Sequence, residues 1–188
     1  MKRHSCLSLF GALSLAAAVG ACNQPSGSEP SPPAPQASAA PQTPDALVEQ
    51  HLKTFDTLDF EIFSKQQWDR FSESHADDIV VTWPDGHQTT GLAKHIEDLK
   101  AMFVYAPDTA ISAHPIRFGS GEWTAVTGVM TGTFTRPMPT PDGKSIPPTG
   151  KAVALPMATI GQWRNGKMIA ESLFWDNQTY MKQLGLAP

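Results

Sequence analysis

Between Ala110 and Trp175 the chain carries four β-rich runs, Ala110–Phe118, Trp123–Thr135, Lys151–Arg164 and Lys167–Trp175. Gly119-Ser120-Gly121 and Asn165-Gly166 stand as tight hairpin turns between two pairs of them. Ahead of these runs the pattern is mainly helical. Asp45 opens a helix through about Thr57, with Leu47, Val48, Leu52 and Phe55 at helical spacing. A second helix is predicted from about Phe60 to Glu73, with Phe63, Trp68 and Phe71 buried. Ile79–Trp83 reads as a strand stopped by Pro84-Asp85-Gly86, and a third helix follows Gly91, with Leu92, Ile96, Leu99 and Phe103 along one side. A short helix, Asn177–Leu184, closes the chain. Helices followed by long antiparallel strands define an α+β domain with a curved sheet wrapped around the helices. Strands of this length must coil, and Gly128 and Gly132 are natural places to bend. The result is a cone whose mouth can admit a small ligand.

The folded domain spans residues 45–188, enough for one core. Residues 1–21 read as a lipoprotein signal: Lys2 and Arg3, an apolar run from Leu7 to Val19 too short to span a bilayer, and Val19-Gly20-Ala21 before Cys22. The alternative is an ordinary signal cut after an alanine, with Cys22 incidental. Cys6 falls in the leader, so Cys22 is the sole cysteine left, unable to form an internal disulfide and suited to lipid attachment. Asn23 after Cys22 favours the outer membrane, on the periplasmic side of the envelope. Residues 22–44 are a Pro/Ala/Ser-rich tether with Glu29 its only charge, unable to bury enough apolar area to fold.

Removing Lys2 and Arg3 takes the formal charge from −4 to −6. A mildly acidic domain with no basic stripe argues against nucleic acid as a partner. His51, His75, His87, His95 and His114 show neither a paired helical spacing nor an acidic ligand in a recognised zinc pattern, so no metal is expected. No Gly-rich phosphate loop and no Gly-x-Ser-x-Gly elbow are present.

The candidate chemistry lies at the chain's end. Asp176 directly follows Leu173-Phe174-Trp175, and burial there would raise its pKa into a range useful for proton transfer. Asp176 would equally suit the cap of the last helix. Glu171, five positions earlier, falls on the opposite face from Asp176 and reads as a surface or strand-edge residue. His114, read as a mid-strand residue, is the second titrating candidate, against a purely structural role. Trp83, His87, Trp123 and Trp175 are the candidate pocket-shaping residues, with Asp85 and Gly86 explained by turn chemistry. The Arg136–Thr149 segment, with five prolines, is either a lid or a stiff crossover. Met130, Met138, Met157 and Met168 could form an adaptable apolar wall, or fill the core.

The order of elements, Pro147-Pro148-Thr149-Gly150-Lys151 entering a strand, the Gly166-Lys167 hairpin, and Trp175-Asp176 followed by Gln183-Leu184-Gly185 resemble the SnoaL-like polyketide cyclases and ester cyclases. These belong to the nuclear transport factor 2-like superfamily of cone-shaped α+β barrels. The resemblance covers the whole folded domain. It implies ring closure by intramolecular aldol condensation on a small apolar or polyketide-like molecule, without metal or cofactor, with an aspartate as acid and base at the position of Asp176. It also carries dimerisation through the outer sheet face as an expectation. Two function classes follow: a cofactor-free cyclase or isomerase, and a non-catalytic, lipid-anchored binding module for an apolar ligand or a protein partner. Export separates the chain from the cytoplasmic synthases that polyketide cyclases serve, so the family's substrate class does not transfer with the fold.

Overall fold

The computed structural model describes residues 44–188; the leader, Cys22 and the tether up to Thr43 lie outside the described residues. Helix α1 spans Pro44–Thr57, with Pro44 and Asp45 in its first turn, and turns His51, Leu52 and Phe55 inward. It does not stop at Thr57. The chain continues into a wider π-helical turn, Leu58–Phe63, marked by the i to i+5 bonds from Ser64 N–H to the Asp59 carbonyl (3.2 Å) and from Gln67 N–H to the Ile62 carbonyl (2.8 Å). Leu58 and Asp59 are buried side by side, seven positions beyond His51 and Leu52 on the continuation of the inward face of α1. The predicted second helix is thus split. Gln66 takes a positive φ of 55°, and a 3-10 turn, Trp68–Glu73, follows.

Strand β1 spans His75–Thr82 and β2 Gln88–Thr90; helix α2 covers Leu92–Tyr105. The expected strand Ala110–Phe118 is broken into β3, Ala110–Ile111, and β4, Arg117–Ser120. His114 therefore lies in a loop beside Pro115, which has no N–H for a ladder. The long strands β5 (Trp123–Thr133), β8 (Ala152–Arg164) and β9 (Lys167–Phe174) form the body of the sheet. Between β5 and β8 a small hairpin, β6 (Met138–Pro139) with β7 (Ser145–Ile146), takes up the proline-rich segment. Helix α3, Asn177–Leu184, ends the chain, with Gly185 in the left-handed conformation that its C-terminal turn requires.

The sheet runs β2-β1-β9-β8-β5-β3, with β4 also on β5. All pairs are antiparallel except β1 with β9, which is parallel. Residues Thr124, Val126, Met130, Val153, Leu155, Thr159 and Trp163 face the helices from β5 and β8, as strict alternation demands. The same alternation places Phe118, Trp123, Val129, Ile160 and Phe174 on the outer face, where each is more than a third exposed. Strand β9 changes phase once. Trp163 pairs with Met168 and Gln162 with Ala170, so Ile169 is an extra residue in a β-bulge. With that shift Met168, Glu171 and Leu173 all point into the cone. Gly128 permits the loop carrying His114 to approach, since a Cβ there would stand 3.3 Å from Ile111 Cγ2 and 3.7 Å from His114 Cδ2. Among the described residues no helix is long and apolar enough to cross a membrane.

Candidate active site

The cone holds an apolar cavity with about 450 Å³ of empty space counted out to its mouth, and its enclosed part is narrow. Leu58, Phe63, Phe71, Leu99, Met130 and Leu173 supply most of its surface, together with Met102 and Met157. Four titratable side chains enter this lining: Asp59, His75, His95 and Glu171.

Asp59 is delivered by the π-helical turn. Its Oδ2 lies 2.8 Å from His114 Nε2, and the other ring nitrogen of His114, Nδ1, lies 2.8 Å from Asp56 Oδ1. The imidazole is thus held between two carboxylates, with Phe55 edge-on at 5.7 Å and Phe60 at 4.7 Å. Asp56 is also paired with Arg117, which reaches Glu49 at 2.8 Å with its other nitrogen. Burial pushes the Asp59 carboxyl above the usual carboxylate range; the His114 bond opposes this, and the charge of Glu171 adds to it. For His114, burial pulls the imidazole down, but the bonds and charges of Asp59 and Asp56 outweigh it and raise its pKa. His114 was foreseen as a site residue, but it touches the cavity only through Asp59.

Glu171 corrects the sequence reading, which placed it at the surface. It is 6% exposed, on the inward phase shared with Leu173 and Trp175. Its Oε2 lies 3.3 Å from His95 Nε2 and 3.7 Å from His75 Nε2, the second being an ion-pair distance rather than a hydrogen bond. Burial pushes Glu171 up, but the two imidazoles outweigh it and hold the carboxyl below its usual range. His95 is pulled down to about 4, chiefly by burial. No local pattern joins these three side chains in the sequence, because they come from separate elements, β1, α2 and β9. The fold brings their donor atoms within 4.8 Å of one another.

Asp176 is corrected in the other direction. The chain leaves the sheet after Phe174, and Asp176 caps α3: Oδ1 accepts from Gln178 N–H (2.7 Å) and Thr179 N–H (3.1 Å), and Oδ2 from the Thr179 hydroxyl (3.2 Å). Those backbone donors lower its pKa, opposite to the burial shift expected from the sequence. It borders an open groove, with Pro84, Pro156 and Phe174, that shares Met157 and Trp175 with the cavity wall, and does not itself line the cavity. Asp176→Ala is therefore expected to lower the thermal midpoint by loosening α3 while leaving turnover unchanged, measured as unfolding and activity on one preparation.

Trp175 lines the cavity, and Trp83 meets it edge-on at 6.3 Å while lying 6.0 Å from the His95 ring. Trp83 Nε1 donates to Thr89 Oγ1 at 3.1 Å, which fixes the indole near the mouth. His87 is exposed, stacked outside Trp83 at 5.8 Å and bonded to Asp85 at 2.5 Å, so it backs the mouth without entering it. Trp123 is half exposed on the outer face and does not shape the pocket. No residue of the Arg136–Thr149 segment lines the cavity. Of the four methionines weighed as wall or core, Met130 and Met157 line the cavity, Met168 lies in the core and Met138 packs against it.

This is the cone of the nuclear transport factor 2-like fold, with its candidate acid–base groups facing inward. The model of the SnoaL-like polyketide cyclase family matches residues 54–184, and the chain belongs to that family. Among solved structures it is similar to a SnoaL-like polyketide cyclase candidate from Jannaschia sp. (18% identity, TM-score 0.66, covering 79% of this chain and 100% of that one). It is also similar to IdmH, a polyketide cyclase candidate from Streptomyces antibioticus (21% identity, TM-score 0.62, 72% and 99% covered). A third likeness is to a protein of ketosteroid isomerase-like fold from Catenulispora acidiphila in complex with trimethylamine (13% identity, TM-score 0.56, 73% and 93% covered). At these identities the likenesses define the fold. No curated protein matches the chain.

Proposed function

We propose that this protein is a small-molecule enzyme of the cyclase or isomerase type, with Asp59 as its acid and base. The observation that carries this reading is a carboxyl buried in the wall of an apolar cavity, above its usual pKa and bonded to a positioned imidazole. The ionised carboxylate takes the proton from a carbon flanked by carbonyl groups. The C–H electron pair becomes the enolate, whose carbon attacks a second carbonyl of the same molecule. The proton on Asp59 then passes to the new alkoxide, leaving the carboxylate as it began. In isomerisation the proton returns to a different carbon instead. His114 positions Asp59 and sets its basicity, and Trp83 and Trp175 orient a flat substrate at the mouth. The narrow enclosed space favours a slim substrate over a fused polycycle.

The test needs no knowledge of the product. Exchange of the α-proton of a 2-alkyl β-keto ester in D2O, followed by NMR, should run faster with the protein than in buffer. The narrowness of the enclosed space also favours a second reading, a binding module without turnover. Saturable protection of the protein by the same compound, with no added exchange, would support that reading instead.

The Val19-Gly20-Ala21-Cys22 sequence supports placement at the cell envelope through a lipid on Cys22. Labelled palmitate fed to the host should enter the wild-type chain and not Cys22→Ser; equal labelling of both would exclude the anchor.

A further inference from the structure

We infer that His75, His95 and Glu171 form a binding site for a divalent transition metal, of which Zn²⁺ is the representative probe. The three side chains are 2%, 3% and 6% exposed. Among the described residues this is the one group of metal-ligating side chains whose donor atoms converge within 4.8 Å.

The unpartnered atoms of this group supply the physical argument. His75 Nδ1 lies 2.9 Å from the Ser74 hydroxyl and 3.3 Å from the Phe71 carbonyl, which leaves Nε2 as the nitrogen turned toward the group. Nε2 is buried without a hydrogen-bond partner and stands 3.7 Å from a Glu171 oxygen that also has none. Buried polar atoms left without partners are costly. A metal ion held between them would satisfy both. With metal–ligand bonds of about 2.0–2.1 Å, the edge of a tetrahedron is about 3.3–3.5 Å; the separations from Glu171 to the two imidazoles are 3.3 Å and 3.7 Å, and the whole group lies within 4.8 Å, so a small inward closure of the side chains would complete the site.

The surroundings suit the same ligand. Two imidazoles and one carboxylate are the protein donors of a catalytic zinc site, in which a fourth position is left for water or substrate. That position would open into the cavity shared with Asp59. The Nδ1 contacts of His75 with Ser74 and Phe71 reproduce the outer hydrogen bonding by which metal-bound histidines are usually oriented. The inference adds to the proposed acid–base reading a Lewis acid able to polarise the substrate carbonyl, but metal binding does not depend on that reading being right.

The experiment is a Co²⁺ titration of the purified chain after chelation and alkylation of any free cysteine, followed by Zn²⁺ displacement. Visible d–d bands of tetrahedral intensity should saturate at one ion per chain and vanish on adding Zn²⁺. The thermal midpoint should rise with Zn²⁺ and fall with chelator. Glu171→Gln and His95→Gln, each checked for folding by circular dichroism, should weaken Co²⁺ binding by at least about 100-fold, whereas His87→Ala should bind normally. If wild-type protein shows no stoichiometric bands, or if folded Glu171→Gln binds as tightly as wild type, the inference is overturned. Should the variants fail to fold, the wild-type titration alone decides. Binding without α-proton exchange would retain the metal site and remove the acid–base reading; full exchange in protein that binds no ion would do the reverse.

Discussion

Asp59→Asn should lower the α-proton exchange rate by about 10²–10⁴-fold, the usual contribution of a positioned general base, and leave the protein at least as stable at neutral pH. The two parts of this expectation come from the same burial. Asparagine has the shape of aspartate, and its Oδ1 can still accept from His114 Nε2, now 2.8 Å from Asp59 Oδ2, but it cannot take a proton. The folded pKa of Asp59 is raised, so its contribution to stability is complete below the unfolded pKa and is lost as pH rises through the folded value. A side chain that never ionises avoids that loss. Urea unfolding at pH 7 should therefore show an unchanged or higher midpoint for the inactive variant. An Asp59→Asn protein that keeps its exchange rate, or loses it only by unfolding, would remove Asp59 from the chemistry. Asp176→Ala is the matched comparison, because it should reverse the pattern, weakening the fold and sparing the rate.

The contrast between these aspartates shows what the sequence made legible. Strands β5, β8 and β9, the Asn165-Gly166 turn and the final helix were readable because each rests on local signals: alternation, turn residues and a capping aspartate. The whole-domain arrangement was readable from their order. Alternation also shows Glu171 and Asp176 to be on opposite sides, but it does not say which side faces in. That was decided by Leu173 and Trp175 lying in the cavity wall and by the chain leaving the sheet to begin α3.

Asp59 was hidden for a different reason. The inward stripe His51, Leu52 and Phe55 continues at helical spacing to Leu58 and Asp59, but a first helix read as ending at Thr57 stops short of them. A charged residue inside the run Leu58-Asp59-Phe60 was the available signal. The histidine–glutamate group was less accessible still. His75 and Glu171 meet because β1 joins β9 in parallel, a pairing between the first and last strands that no local pattern encodes. His114 was a titrating candidate from the sequence, yet its partners Asp56 and Asp59 lie 58 and 55 positions away and needed the fold to supply them.

The largest expected loss of stability follows from that last arrangement. His114→Ala should cost about 3–5 kcal/mol at neutral pH, the usual price of leaving one member of a buried ion pair alone, and a large part of the stability of a domain of this size. Asp56 keeps Arg117 as a partner, so the burden falls on Asp59, whose carboxylate is bonded to His114. If the loss is electrostatic, Asp59→Asn in the same chain should recover most of it, and a double-mutant cycle should show coupling between the two sites. If it reflects lost packing against Phe55 and Phe60, the second change should recover nothing. The pH dependence separates the two further. The folded pKa of His114 is raised, so its stabilisation is complete below the ordinary histidine value of about 6.5 and is lost as pH rises through the higher folded value. At acid pH, below the raised folded value of Asp59, that carboxyl is neutral and needs no cation. The difference between wild type and His114→Ala should therefore peak between the folded pKa values of Asp59 and His114 and shrink on either side, while a packing loss would stay level across the whole range.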